Sequence, residues 1–365
     1  MKVLASVFNN LATDQRVQKV CRTLSENGYE IELIGNDWTG LPEMSRNYPF
    51  TRITLHSKIL KFAYLEFQMK LYRNLLRKAD QSTILLANDL DSLLPNYLVS
   101  KKLNIPLVFD SHEIFTEMPA VNGRFTQKIW RILERSTLPN IKYMMTASES
   151  YADWFHQKYG IERPVVVQNF PHKTENPQNY EERNNPQIIL YQGVINPSRG
   201  LNHIIPAMKN IPNAELWIAG DGPKKAEYLN LVQTLKLENC VKFLGKLTPE
   251  NLRKITPKAD IGISIEENKG LSYYYSMPNK ISDYIQARVP VVVSDFPEMR
   301  KVVDQFQAGE KISDYSELPD KINTVLKKGK QFYKDALNKT AEALCWEKEE
   351  KKLIGLFEKV KDTEF

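Results

Sequence analysis

The chain has 365 residues, 42% hydrophobic and 26% charged, and its 50 Lys and Arg against 44 Asp and Glu give a formal charge of +6. That length exceeds one ordinary core and implies two domains of roughly 150–200 residues, while the apolar content and mixed charge exclude a disordered chain. So small a basic excess does not argue for nucleic acid. Three scattered cysteines (Cys21, Cys240, Cys345) argue against a disulfide scaffold or a cysteine zinc site and place the chain in a reducing cytoplasm.

Residues 2–8 follow a single lysine with a short apolar run, too brief for a signal peptide and suited to a buried first strand. No apolar run approaches the roughly 18 residues of a transmembrane helix. A helix is expected over 14–27, with Asp14 as N-cap, an apolar stripe of Val17, Val20, Cys21 and Leu24, and Gly28 beyond its end. Strands follow over 29–34, 52–55, 83–87, 106–109, 143–147 and 165–167, with helical segments in most intervals. Continuous apolar strands separated by helices imply a parallel sheet covered on both faces. The polar, turn-rich stretch 171–186 reads as a linker. The rhythm then restarts with strands over 187–192, 215–219, 241–244, 261–265 and 290–294, and 316–360 reads as helix alone. Two Rossmann-like α/β domains are expected, split near residue 180, with their strand ends facing a central cleft.

One segment is compositionally unusual. Residues 57–78 carry Lys58, Lys61, Lys70, Arg73, Arg77 and Lys78 against Glu66 alone, interleaved with aromatic and aliphatic side chains. Two readings stand: a solvated helix, or a basic aromatic surface resting on an anionic membrane.

The chemistry concentrates at strand ends. Gly193-Val-Ile-Asn-Pro-Ser-Arg-Gly200 follows a strand and opens a helix, so its backbone N–H groups and Arg199 suit a phosphate, although an ordinary corner with a surface arginine has the same pattern. In Tyr275-Ser-Met-Pro-Asn-Lys-Ile-Ser-Asp283, Pro278 fits a first helical turn, leaving free donors near Ser276–Asn279 with Lys280 beside them. Asp283 lies one turn on, where a carboxylate can hold ribose hydroxyls. Earlier in the chain, Asp110, His112 and Glu113 end an apolar strand, as do Asn88 and Asp89, and Asn9, Asn10, Asp14 and Arg16 follow the first strand. All would line the cleft, His112 with the alternative of a loop-packing histidine. There is no G-x-G-x-x-G after the first strand, no P-loop, no H-E-x-x-H and no nucleophile elbow. Five scattered histidines give no metal site.

Taken in order, Asp14-x-Arg-Val17, Asp110-Ser-His-Glu113, Gly193…Arg199-Gly-Leu201, Gly220-Asp-Gly-Pro223 and Pro278-Asn-Lys-Ile-Ser-Asp283 resemble family 4 of the retaining glycosyltransferases, which have the GT-B fold. The P-N-K-x-x-D-Y element looks like that of transferases assembling bacterial surface polysaccharides. The resemblance implies an acceptor domain over 1–172, a linker over 173–186, a donor domain over 187–345 and a C-terminal helix over 346–365 crossing back to the first domain. It implies a UDP- or GDP-linked sugar donor, a glycan or lipid-linked acceptor, and no cofactor or metal. Arg199 matches the family's diphosphate-binding cation and Asp283 the second acid of its E-x7-E element, whose first acid falls on Tyr275; Ser276 and Asn279 are then expected to share the sugar contacts. The other family cation falls on Val194, so Lys280 is expected to supply its charge. His112 matches the histidine at the sugar-and-acceptor rim. Catalysis would come from Arg199, Lys280 and the Pro278–Lys280 helix start stabilising the leaving diphosphate, with retention at the anomeric carbon. A sugar-nucleotide epimerase and a non-catalytic nucleotide-sugar-binding protein are the alternatives, and a peripheral place at the inner membrane face goes with the lipid-linked acceptor.

Overall fold

The computed structural model describes residues 1–9, 11–12, 14–38, 44–175 and 186–365. The chain forms two compact units, one of Met1–Asn169 with Glu349–Phe365, the other of Phe170–Lys348.

The first unit holds seven strands: β1 (Lys2–Ser6), β2 (Glu30–Asn36), β3 (Phe50–Ile53), β4 (Thr83–Asn88), β5 (Leu107–Ser111), β6 (Tyr143–Thr146) and β7 (Val165–Val166). They run parallel in the order β3-β2-β1-β4-β5-β6-β7. Val3 of β1 lies between Ile31 and Ile84, and every residue of the central strand β4 is buried, as a sheet covered on both faces requires. The covering helices follow from their apolar spacing. Helix Gln15–Glu26 starts where the Asp14 carboxylate accepts the Val17 N–H at 3.0 Å, and it buries Val17, Val20, Cys21 and Leu24. Helix Leu60–Lys78 buries Ala63, Phe67, Leu71 and Leu75, one residue per turn. The C-terminal helix, Trp346–Glu364, contributes its residues from Glu349 onward to this unit. Glu349 accepts the Gln168 backbone N–H at 2.8 Å, Phe357 meets the edge of Tyr29 at 5.7 Å, and Glu364 accepts the Tyr143 hydroxyl at 2.7 Å.

The second unit holds six parallel strands: β8 (Gln187–Gln192), β9 (Ala214–Ala219), β10 (Val241–Gly245), β11 (Ile261–Ser264), β12 (Val291–Ser294) and β13 (Gly309–Ile312), in the order β10-β9-β8-β11-β12-β13. Its core shows why Gly262 is a glycine: a Cβ there would come within 2.3 Å of the Tyr284 ring, whose hydroxyl donates to Leu190 O and accepts from Gln192 N, both at 3.0 Å. Pro171 and Thr174, inside the expected 171–186 linker, are tied into this unit by Trp346 N to Pro171 O and Thr174 N to Gln286 Oε1, each 2.9 Å. Residues 176–185 of the expected linker lie outside the described residues.

Both sheets have the doubly wound strand order, which reverses between β1 and β4 and between β8 and β11. Ligands of such sheets bind beyond the strand carboxyl ends at that reversal. The expected strands form within a few residues of their boundaries, but β13 is an addition. Gly309-Glu-Lys-Ile312 is an edge strand with two polar residues, Glu310 bonding Lys328 at 2.9 Å, so it lacks the continuous apolar run of a buried strand. Among the described residues no helix is long and apolar enough to cross a membrane.

Phe357 is fully buried, so truncating it leaves a cavity. Phe357→Ala is expected to destabilise the first unit by about 3–5 kcal/mol in urea unfolding. A loss below about 1 kcal/mol would mean that the C-terminal helix adds little to that core.

Candidate functional site

In the second unit, the corner after β8 carries Arg199 onto a buried carboxylate. Ser198 and Gly200 flank it with positive φ, 65° and 76°. A Cβ on residue 200 would lie 2.1 Å from Ile265 O, so only glycine lets this corner settle against the segment after β11. The next residue there is Glu266, whose side chain is fully buried. Arg199 Nη1 lies 2.9 Å from Glu266 Oε2, with its guanidinium 4.4 Å above the Tyr273 ring. Lys280 Nζ lies 2.9 Å from the other oxygen, Oε1, and 4.5 Å from the Tyr191 ring centroid. One carboxylate thus spans two cations.

The electrostatics follow from that count. Burial raises the Glu266 carboxyl, but Lys280 and then Arg199 more than offset it and hold it below the ordinary glutamate range. Burial pushes the Lys280 ammonium down, and Glu266 only partly restores it. The Lys280–Glu266 contact is close but out of hydrogen-bond alignment, which leaves a nearly buried ammonium without an aligned acceptor. Two cations against one anion in a desolvated corner favour a further negative group.

Lys280 opens helix Asn279–Gln286, which has no side-chain cap at its N-terminus. Pro278 takes the N-cap place, one position earlier than expected, because its ψ of 131° is extended. Three residues after Lys280, Asp283 accepts a 2.9 Å bond from Gln192 Nε2, and Gln192 Oε1 accepts from Thr256 Oγ1 at the same distance. Asp283 is therefore held at the carboxyl end of β8. Tyr275 and Ser276 are half-buried beside this helix, Ser276 donating to Tyr273 O at 2.9 Å, whereas Asn279 is exposed. Val194, at the position of the family's second cation, is exposed on the β8 corner.

In the first unit, the ends of β1, β4 and β5 gather a second cluster. Asp89 has φ 59°, a strained value for a residue with a Cβ, and it turns its carboxylate onto His112. Its Oδ1 accepts the His112 backbone N–H at 2.9 Å, and its Oδ2 lies 3.2 Å from Nδ1. On the other side, His112 Nε2 lies 3.3 Å from Asp110 Oδ2 and 3.4 Å from Asn88 Oδ1. Arg16 and Asp110 depart from their expected place on an open rim. Both are buried, and the Arg16 guanidinium forks onto Asp110 at 2.9 and 2.6 Å. Their charges satisfy each other, so they brace His112 from within. Asn88 is likewise buried, donating to Ser6 O. Asp14 caps its helix and also accepts from Asn9 Nδ2 at 2.8 Å, while Glu113 is half-buried next to His112. Asn10 lies outside the described residues.

Glu266 is the site residue that the sequence did not single out. Its only signal was position, two residues beyond a buried parallel strand. Among the described residues, no group of three or more His, Cys, Asp or Glu could hold a metal ion.

The titration of His112 gives the first test. Burial lowers its pKa, but Asp89 and Asp110 outweigh burial and raise it to about 9. A group with a raised folded-state pKa contributes stability that is full below its unfolded value near 6.5 and is lost as pH rises through about 9. His112→Gln should therefore flatten the fall in Tm between pH 7 and 9, the stability at stake being on the order of 3 kcal/mol. An unchanged slope would show that the imidazole is neutral at pH 7. Glu266→Gln leaves two cations without a counter-charge and should cost about 3–5 kcal/mol in denaturant unfolding. Because the Glu266 pKa is depressed, its contribution disappears as pH falls through that lowered value, so the variant should also lose part of the acid limb of the stability profile. A loss below about 1 kcal/mol, with an unaltered acid limb, would mean that the carboxylate does not hold the pair.

Comparison with known proteins identifies the family. Residues 14–170 match the model "Glycosyltransferase Family 4", and residues 172–343 match "Glycosyl transferases group 1". The chain is 31% identical over 125 residues to a chitobiosyldiphosphodolichol beta-mannosyltransferase of Candida albicans, a match covering 32% of this chain and 26% of that protein. The matched part thus spans about a quarter of that relative's length. Among solved structures, a sucrose-phosphate synthase from Thermosynechococcus elongatus superposes with TM-score 0.80 at 15% identity, over 99% of each chain. Anabaena HepE in complex with UDP-glucose superposes with TM-score 0.72 at 15% identity, over 98% of this chain and 100% of that one. With two parallel, doubly wound units of the GT-B type and a family match along nearly its whole length, the chain belongs to the group 1, family 4 glycosyltransferases.

Proposed function

We propose that this protein is a retaining glycosyltransferase. It moves a sugar from a UDP- or GDP-linked donor to a glycan or lipid-linked acceptor in surface polysaccharide assembly, without a metal or cofactor. The observation that carries this reading is the corner where Arg199 and Lys280 share the single carboxylate of Glu266. A diphosphate brings the anionic charge which that corner lacks. As the glycosyl bond breaks, negative charge grows on the leaving diphosphate, and preplaced cations stabilise that change more than they stabilise the bound donor. The uncapped start of helix Asn279–Gln286 adds its dipole at the same place. Asp283, fixed by Gln192, is assigned the ribose hydroxyls, and Tyr275, Ser276 and Asn279 the sugar. In the first unit, the charged His112 between Asp89 and Asp110 is assigned to the sugar-and-acceptor rim, with Asn9, Asp14 and Glu113 near it and the buried Asn88 supporting its ring from below the surface. The HepE structure with UDP-glucose supports a nucleotide sugar as the class of donor. The β product in the name of the Candida relative makes inversion the competing stereochemical outcome.

The test pairs binding with product analysis. Uridine and guanosine diphosphates should separate in a thermal-shift panel, one raising Tm and the other not. Arg199→Ala with Lys280→Ala should weaken the bound diphosphate by about 100-fold or more, from the loss of two charged contacts worth about 1.5–3 kcal/mol each. Proton NMR of the first product should show the donor's anomeric configuration. Wild-type transfer by the double variant would overturn the site, an inverted product would overturn retention, and conversion of the donor sugar without acceptor would assign an epimerase.

A further inference from the structure

Helix Phe125–Thr137 is built inside out. Its buried residues are Gln127, Glu134 and Thr137, while Phe125, Ile129 and Ile132 are 75%, 53% and 68% exposed. The polar side is no accident of packing. Gln127 donates to Thr116 O at 2.7 Å, and Glu134 accepts from the Thr116 hydroxyl at 2.9 Å and from the Tyr159 hydroxyl at 2.7 Å. Those bonds fix the rotation of the helix and commit the 125, 129, 132 stripe to the outside. Each such side chain forgoes about 1.5–3 kcal/mol by staying in water, so a contiguous stripe of them marks a contact surface.

Neighbouring helices continue the stripe. Helix Leu60–Lys78 buries one face and turns Phe62, Leu65 and Met69 outward on the opposite one, at spacings of three and four. Helix Leu90–Leu103 packs between the two and exposes Leu94 and Leu98, one turn apart. Tyr64 and Trp130, with ring centroids 5.9 Å apart, join the first helix to the third. The charge on these three helices is one-sided. They carry ten Lys and Arg, among which Lys61, Arg73, Lys101, Lys102, Lys128 and Arg135 are exposed. Their three acids are withdrawn: Asp91 and Glu134 are buried, and Glu66 is paired with Lys70 at 2.7 Å.

We propose that this three-helix face docks the protein on an anionic lipid bilayer, with Phe125, Ile129, Ile132, Phe62, Leu65 and Met69 entering the headgroup boundary. The cations around them meet acidic headgroups, each worth about 1 kcal/mol near a charged surface. A second copy of the chain fits the face poorly, because a two-fold contact would set its exposed cations against the same cations of the other copy. The inference stands apart from the transfer reaction and holds whichever sugar or stereochemistry that reaction proves to have.

The test is flotation of the full chain with vesicles of phosphatidylcholine alone, or mixed with phosphatidylglycerol. The wild type should float with the mixed vesicles, release as salt rises, and stay behind with phosphatidylcholine. Two variants, Phe125→Ser with Ile129→Ser and Ile132→Ser, and separately Lys128→Gln with Arg135→Gln, should each cut partitioning about tenfold or more. All five positions are exposed, so Tm and far-UV circular dichroism should be unchanged. A wild type that never floats, or variants that float as well as it does, overturns the proposal. A dimer in light scattering that the triple-serine variant dissociates, with no vesicle binding, assigns the face to a second copy instead.

Discussion

A parallel sheet covered by helices on both faces has its backbone bonds consumed within the sheet and its side chains consumed in the core. Only the strand carboxyl ends are left for chemistry. Both units obey this constraint. In the first, Asp89 and His112 stand just beyond β4 and β5; in the second, Arg199, Glu266 and Asp283 stand at or beyond the ends of β8 and β11. The glycines that look like ornaments in these corners serve the same end. Gly200 has no side chain because the corner carrying Arg199 must lie against Ile265 O.

The two units use buried charge to opposite effect. Arg16 and Asp110 form a closed pair, one cation forked on one anion, and the result is neutral and fully bonded. Such a pair specifies a shape and leaves nothing for a ligand. Arg199, Lys280 and Glu266 form an open set, in which one carboxylate answers two cations. The same ingredients in a ratio of two to one make an anion site. His112 lies between these cases: it is flanked by two carboxylates, one already engaged by Arg16, and so it holds a proton well above the usual histidine range.

Helix Phe125–Thr137 adds a third use of polarity. Its buried glutamate and glutamine satisfy neighbouring hydroxyl and carbonyl groups, and the cost of burying them is recovered by hydrogen bonds. The consequence is an apolar outer stripe that the unit's own core does not cover.

Periodicity in the sequence determined most of the architecture. Apolar runs located twelve of the thirteen strands, Asp14 located a helix start, and the restart after residue 186 showed a second sheet. These are local properties, decided within a few residues by side-chain spacing and capping. The edge strand β13 escaped because half its length is polar. Charge partnership was a matter for the tertiary structure alone. Arg16 meets Asp110 across 94 residues, and Arg199 meets Glu266 across 67, so no local pattern could say which cation was spent and which remained available. Asp110 looked like a rim residue and became a buried brace, whereas Glu266, absent from the expected site residues, became the anchor of two cations. The same holds for the outer face of Phe125–Thr137, since a helix's rotation about its axis is set by what it packs against.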